Sequence, residues 1–214
     1  MFVRDIMTTN VITISPDTLM VEAGRIMEFH NIQRLPVVEK GKLVGIITRN
    51  RLLRYYPSQA TSLSHWELNY LLAKIKVKDI MRKELVTVPP DITVERAIAI
   101  AQKNRVGSLL VVEDGKLVGI VTTNDFFYRI LNPLMGIGEE GERIIVYGGG
   151  AVDVAKRVME IVENNGFKVK SFCTLPSEGE IYDLVLQFED KDVSELIKNL
   201  KDHGFSVDVR PHRA

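Results

Sequence analysis

Val37-Val38-Glu39-Lys40-Gly41-Lys42-Leu43-Val44-Gly45-Ile46 returns 74 residues later as Val111-Val112-Glu113-Asp114-Gly115-Lys116-Leu117-Val118-Gly119-Ile120. Two apolar, β-branched runs around a glycine-bearing turn read as a hairpin, and a hairpin written twice marks an internal repeat. At the same offset, Val3-Arg4-Asp5-Ile6-Met7 falls on Val77-Lys78-Asp79-Ile80-Met81, and Ser15-Pro16-Asp17 on Pro89-Pro90-Asp91. Residues 3–53 align with 77–127 without a gap, with about 20 of 51 positions identical. The front of the chain is therefore one structural unit used twice.

Within a unit, Val11-Ile12-Thr13-Ile14 predicts a short strand. Pro16-Asp17 opens a helix that places Met20, Ala23, Ile26 and Met27 on one face. The hairpin follows, and Asn50-Arg51-Leu52-Leu53 begins a second helix. One copy is too small to cover its own sheet, so two copies are expected to stack about a pseudo-twofold axis with a cleft along it, the place where ligands are expected. Between the copies, Ser64 and Glu67 form a capping-box pattern, and Trp66, Tyr70 and Ala73 share a face, which predicts a linking helix over 62–75.

The length of 214 residues, with 45% hydrophobic and 26% charged residues, suits two small globular domains. The apolar runs are strand-sized, and the start Met1-Phe2-Val3-Arg4-Asp5 lacks the pattern of a signal peptide, so no membrane partner and a cytoplasmic location are expected. The 28 basic and 28 acidic residues cancel, which argues against a chain that coats nucleic acid. The balance is uneven along the chain. Residues 1–136 carry 18 Lys/Arg against 13 Asp/Glu, and residues 137–214 carry 10 against 15. A basic front suits an anionic ligand, and drift of surface charge between domains would give the same count. The single cysteine, Cys173, reads as a small strand hydrophobe.

The repeated Val-(Arg/Lys)-Asp-Ile-Met start, the strand pair ending Gly-Ile-(Ile/Val)-Thr and their spacing resemble CBS motifs, and two in tandem resemble a Bateman module. With the segment Pro57 to Ile75, the chain resembles the acetoin-utilisation CBS proteins, in which a CBS pair precedes an ACT domain. The resemblance implies an adenosyl effector, either an adenine nucleotide or an S-adenosylmethionine-like molecule, and no required cofactor. It also implies a homodimer and a regulated enzyme as partner.

The second copy's last strand ends in Thr122-Thr123-Asn124-Asp125 before a helix. By the resemblance, Thr122 donates to phosphate and Asp125 accepts from the ribose hydroxyls; both residues are equally suited to capping the helix. The first copy keeps Thr48 but has Arg51 where Asp125 stands. It loses the ribose acceptor, so one nucleotide site is expected rather than two. Arg51 then serves either as a phosphate ligand or as a solvated surface charge. Val86 and Thr87 on one side, and Arg105, Gly107 and Ser108 on the other, are the further candidates for the ligand's walls, with Gly107 permitting close approach.

Gly136, Gly138 and Gly141 mark a flexible boundary, giving domains 1–136 (motifs 1–55 and 75–136) and 137–214. The second domain predicts strands at 143–147, 168–174, 182–188 and 205–209 and helices at 153–164 and 193–202. This βαββαβ order is ferredoxin-like and resembles an ACT domain, so amino-acid binding there is a further expectation. The usual Asp-x-Pro-Gly turn of ACT domains is missing. Gly148-x-Gly150-x-x-Asp153 lacks the third glycine of a dinucleotide fingerprint. The fold class expected is α+β throughout. His30, His65, His203 and His212 show no metal-ligand spacing, and no nucleophile–base grouping can be assembled. The expectation is a non-enzymatic, ligand-sensing regulatory protein, its rival a ligand-free scaffold that only dimerises.

Overall fold

The computed structural model describes residues 1–55, 72, 74–138, 140–177, 179–189 and 192–210. Apart from Leu72, Lys74 and Ile75, the linking helix expected over 62–75 lies outside the described residues. The chain divides into two units, Met1–Asp125 and Phe126–Ala214.

The first unit holds both copies. Helix α1 (Met20–Phe29) buries Met20, Ala23 and Met27, and strands β1 (Arg34–Glu39) and β2 (Lys42–Thr48) form the hairpin, followed by α2 (Arg49–Leu53). The second copy runs through α3 (Val77–Ile80), β3 (Thr87–Val88), α4 (Val94–Lys103), β4 (Ser108–Glu113), β5 (Lys116–Thr122) and α5 (Thr123–Phe126). Both hairpins turn on a residue pair with positive φ, Lys40-Gly41 and Asp114-Gly115, the geometry that matches the strands' right-handed twist. Both also shift register at the same place, between Val37 and Val38 and between Val111 and Val112.

The copies differ where single residues change the hydrogen bonding. The strand expected at 11–14 is reduced to a bridge between Ile14 and Val37, whereas in the second copy β3 pairs in parallel with β4. Proline is the cause. Leu110 donates to the Val86 carbonyl at 3.2 Å; its counterpart is Pro36, which has no N–H to give. The first helix also begins later than the Pro16-Asp17 signal suggested, at Met20 behind an uncapped Leu19. In the second copy the equivalent residue, Thr93, caps α4 by accepting from Arg96 N–H.

The copies exchange their leading segments. Val3 and Arg4 donate to the carbonyls of Ile92 and Pro90, and Val77 and Lys78 to those of Thr18 and Pro16, all at 2.9 Å. Thr8 exchanges both backbone bonds with Ile120, and Arg82 does so with Ile46. Val77 and Ile80 consequently complete the first copy's core, with Leu35, Val37 and Ile47. The crossing is close. A Cβ on Gly119 would lie 2.5 Å from Met7 Sδ and 3.2 Å from the Thr8 carbonyl oxygen, and a Cβ on Gly45 would strike Met81 Sδ in the same way. At the surface Asp17 accepts from Lys76 Nζ and Lys78 Nζ, each at 2.9 Å.

The second unit is a four-stranded antiparallel sheet in the order β7 (Val169–Pro176), β8 (Tyr182–Phe188), β6 (Arg143–Val146), β9 (Val207–Val209). Helices α7 (Val152–Asn164) and α8 (Ser194–Asp202) complete the βαββαβ order. Val158, Val162, Leu196 and Leu200 on the helices meet Ile144, Val146, Leu184, Leu186 and Phe188 on the sheet. The unit begins earlier than residue 137, and the segment from Asn132 is not a free linker over its first part. Helix α6 (Asn132–Met135) packs on β7. Its Leu134 carbonyl accepts from Ser171 Oγ at 3.0 Å and its Met135 carbonyl from Arg143 Nη1 at 2.8 Å. The Gly148–Gly150 run serves packing. Gly150 N–H donates to the Tyr182 carbonyl at 2.8 Å, and a Cβ there would lie 2.5 Å from Tyr182 Cβ.

Gly119→Ala and Gly45→Ala are each expected to destabilise the first unit by about 1–3 kcal/mol, the usual cost of overpacking. Urea titration checks this, and Met7→Ala combined with Gly119→Ala should cost less than the sum of the two single changes. Hydrogen bonds from Lys78 and then Lys76 hold the Asp17 carboxyl at about 2, below its ordinary 3.8. The folded value lies below the unfolded one, so the ion pairs contribute above about pH 4 and are lost as the pH falls through about 2. Unfolding curves of wild type and Asp17→Asn should accordingly differ above pH 4, converge towards pH 2, and differ less in high salt.

Candidate functional site

The 74-residue repeat relates two of the cavities in the first unit. One, of about 250 Å³, is lined by Val11, Ile12, Asn31, Thr122 and Asp125 among others. The other, of about 450 Å³, contains their counterparts Leu85, Val86, Arg105, Thr48 and Arg51. Gln33 and Arg34 line both.

The segment exchange explains this composition. Pairing of Thr8 with Ile120 lays residues 10–12 beside the turn at Thr122, and pairing of Arg82 with Ile46 lays residues 84–86 beside the turn at Thr48. Each cavity therefore joins one copy's strand-to-helix turn to the other copy's leading segment. This corrects the grouping drawn from sequence. Val86, Arg105, Gly107 and Ser108 gather with Thr48 and Arg51, whereas Thr122 and Asp125 face Val11, Ile12 and Asn31. Thr87 is exposed in β3 and lines neither. Val11, Ile12, Asn31, Gln33, Arg34 and Arg82 escaped the sequence reading. Moving the wall candidates back by 74 residues would have found Ile12, Asn31, Gln33 and Arg34.

At the smaller cavity, Asp125 Oδ2 accepts from both the backbone N–H and the Oγ1 of Thr122, each at 2.7 Å. The pair is thus locked by the turn that begins α5, with one carboxylate edge committed to it. A charged carboxylate beside a hydroxyl, opposite the apolar Val11 and Ile12, can hold a diol on one side and a flat apolar ring on the other.

At the larger cavity, Thr48 Oγ1 accepts from Arg51 N–H at 3.2 Å, and Arg51 Nε donates to the Ile80 carbonyl. Arg51 is half-buried and held through Nε, which does not match the solvated surface charge that was one of its two sequence readings. Gly107 does permit a close approach, and the group that approaches is Arg34: a Cβ at 107 would lie 2.7 Å from Arg34 Nη2. Burial lowers the Arg34 guanidinium from its usual value. Among the described residues, no group of three or more His, Cys, Asp or Glu converges as a metal site would require. Cys173 is half-buried on β7, and burial raises its thiol.

Comparison with known proteins agrees with this architecture. The CBS domain family matches residues 3–58 and 77–132. The chain belongs to the CBS domain family and carries the domain in tandem. It is 40% identical over 133 residues to inosine-5'-monophosphate dehydrogenase of Korarchaeum cryptofilum, a match covering 62% of this chain and 25% of that protein. It is 32% identical over 123 residues to the CBS domain-containing protein YhcV of Bacillus subtilis, covering 58% of this chain and 81% of that one. The chain thus spans about a quarter of the dehydrogenase's length and most of YhcV's. Among solved structures, a putative acetoin utilization protein from Vibrio cholerae is similar with a TM-score of 0.52 and 27% identity, covering 62% of this chain and 91% of that one. The CBS domain pair of protein MJ0100, solved with 5'-methylthioadenosine and S-adenosyl-L-methionine, is similar with a TM-score of 0.50 and 29% identity, covering 62% and 96%. Among the described residues, no helix is long and apolar enough to cross a membrane.

Asp125→Asn keeps an acceptor for one Thr122 donor and loses the charge, whereas Asp125→Ala leaves both donors without it. The first is expected to cost less stability than the second, which should lose about 1–2 kcal/mol. Chemical denaturation of the two variants checks the order.

Proposed function

We propose that this chain is a non-enzymatic regulatory protein whose CBS pair senses an adenosyl ligand in the cavity lined by Thr122 and Asp125. The observation that carries the reading is the placement of that Thr–Asp pair, hydrogen-bonded and half-buried, across a cavity from Val11 and Ile12. On this reading Asp125 accepts from the ribose hydroxyls, the adenine lies against Val11 and Ile12, and Asn31 and Gln33 offer donors and acceptors at the rim. The similarity to a CBS pair solved with 5'-methylthioadenosine and S-adenosyl-L-methionine supports this ligand class. The four-stranded second unit is assigned as ACT-like from its βαββαβ order, with amino acids as its candidate effectors. A cytoplasmic homodimer is the proposed assembly. Regulation then requires the ligand to bind one arrangement of the protein more tightly than another.

A thermal-shift screen of AMP, ATP, S-adenosylmethionine, 5'-methylthioadenosine and free amino acids tests the reading, because a ligand bound only by the folded state raises the melting temperature. Asp125→Ala is expected to weaken the adenosyl ligand by roughly 1.5–3 kcal/mol, the worth of a hydrogen bond to a charged group, as read by calorimetry. Equal affinity in wild type and variant would remove Asp125 from the site. Silence across the whole adenosyl panel would leave a dimerisation scaffold.

A further inference from the structure

A methionine sulfur makes the closest contact at each crossing of the two copies. Met7 stands one residue before Thr8, and Met81 one before Arg82, the residues that exchange backbone bonds with Ile120 and Ile46. Each methionine lies over the glycine that precedes its partner isoleucine. A Cβ at Gly119 would meet Met7 Sδ at 2.5 Å and Met7 Cγ at 3.0 Å, and a Cβ at Gly45 would meet the same two atoms of Met81. An unbranched, polarisable thioether fills such an irregular gap.

Both residues are half-buried, whereas Met20 and Met27 of the first copy's core are at most 2% exposed. Met81 also packs against that core, which contains Leu35, Val37 and Ile47. The four backbone N–H groups of the crossing, those of Thr8, Ile120, Arg82 and Ile46, are all committed to the facing carbonyls at 2.9 to 3.0 Å. An oxygen atom added to either sulfur, against the glycine, therefore finds no amide donor there. It must stay buried without a hydrogen bond, which is costly, or turn out to water and carry the side chain off the glycine, which opens a gap at the crossing.

We propose that Met7 and Met81 are paired oxidation sites through which a hydroperoxide loosens the crossing of the two copies. A sulfur lone pair attacks one oxygen of hydrogen peroxide, the S–O bond forms as the O–O bond breaks, and the departing oxygen leaves as water with both protons. Sulfur is oxidised by two electrons and the peroxide is reduced by two, giving methionine sulfoxide. A flexible apolar side chain becomes a polar one. The crossing lays residues 10–12 beside Thr122 and residues 84–86 beside Thr48, so the modification acts on both cavities at once, although neither methionine lines them. The inference does not need the adenosyl reading, since it concerns the packing of the first unit.

Treatment of the full chain with hydrogen peroxide, followed by peptide mass spectrometry and thermal unfolding, is the test. Met1, 62% exposed, should oxidise first, Met7 and Met81 next, and Met20 and Met27 only once the protein unfolds. Oxidation at 7 and 81 should lower the melting temperature by at least about 4 °C, and the two stereospecific methionine sulfoxide reductases together should restore it. Met7→Leu combined with Met81→Leu removes both sulfurs at nearly constant volume and should make the melting temperature insensitive to peroxide. Met135→Leu combined with Met159→Leu, at half-buried methionines of the second unit, should respond to peroxide as wild type does, a comparison that stands even where the first variant fails to fold. Survival of Met7 and Met81 for as long as Met20 and Met27, or a melting temperature unchanged by their oxidation, would overturn the inference. So would a loss that persists once the sulfoxides are reduced, or a response that disappears in the Met135 and Met159 variant.

Discussion

The reciprocal pairing of Thr8 with Ile120 and of Arg82 with Ile46 is the interaction on which the first unit depends. It carries each copy's leading segment across to its partner, where Val77 and Ile80 enter one core and Val3 and Ile6 are buried in turn. Neither copy encloses its apolar face without the other. The approach of Met7 to Gly119 and of Met81 to Gly45 leaves no room for a side chain at either glycine, which accounts for two glycines inside strands that would otherwise be weakened by them. Because the crossing sets which residues face which turn, it also sets the composition of both cavities.

Duplication has preserved the scaffold and released the side chains. The left-handed turns, the hairpin bulges and the backbone bonds that close the strand-to-helix corners recur in both copies, since each is required by chain geometry whatever ligand is present. Charges at the cavity walls are under no such requirement. Several like charges around one cavity repel each other in the empty protein, and the arrangement is stable in water because most of the arginines at the larger cavity keep one side solvated.

The second unit obeys different constraints. Its glycine run after β6 lies against Tyr182 and Leu184 of β8, and Gly148 N–H donates to the carboxylate of the buried Asp183 at 2.8 Å. These residues shape a tight strand-to-helix crossover and present no cradle to a phosphate. On the sheet face away from α7 and α8, helix α6 supplies carbonyl acceptors to Arg143 and Ser171. Those bonds anchor a segment whose glycines and proline read, in isolation, as a linker.

Much was legible before any coordinates. The 74-residue repeat, the hairpins with their Lys-Gly and Asp-Gly turns, the apolar face of α1 and the βαββαβ order of the second unit all follow from periodicity and turn chemistry, which are local. Thr122 and Asp125 could be named together for the same reason, as both lie in one turn, although their hydrogen bonds to each other could not. Local pattern could not decide which turn faces which segment. The Gly-Ile sequence that Met7 meets at Gly119 stands identically at Gly45, and Thr8 could pair with Ile46 as well as with Ile120 by every rule of propensity. Only the closed three-dimensional path, in which each core is completed by the other copy's segment, selects the crossed arrangement. The sequence by itself determined the repeat, its elements and the exchange of Asp125 for Arg51. The tertiary structure alone decided that five arginines from both copies line one cavity, because residues as far apart as Arg34 and Arg105 meet only when the two copies cross.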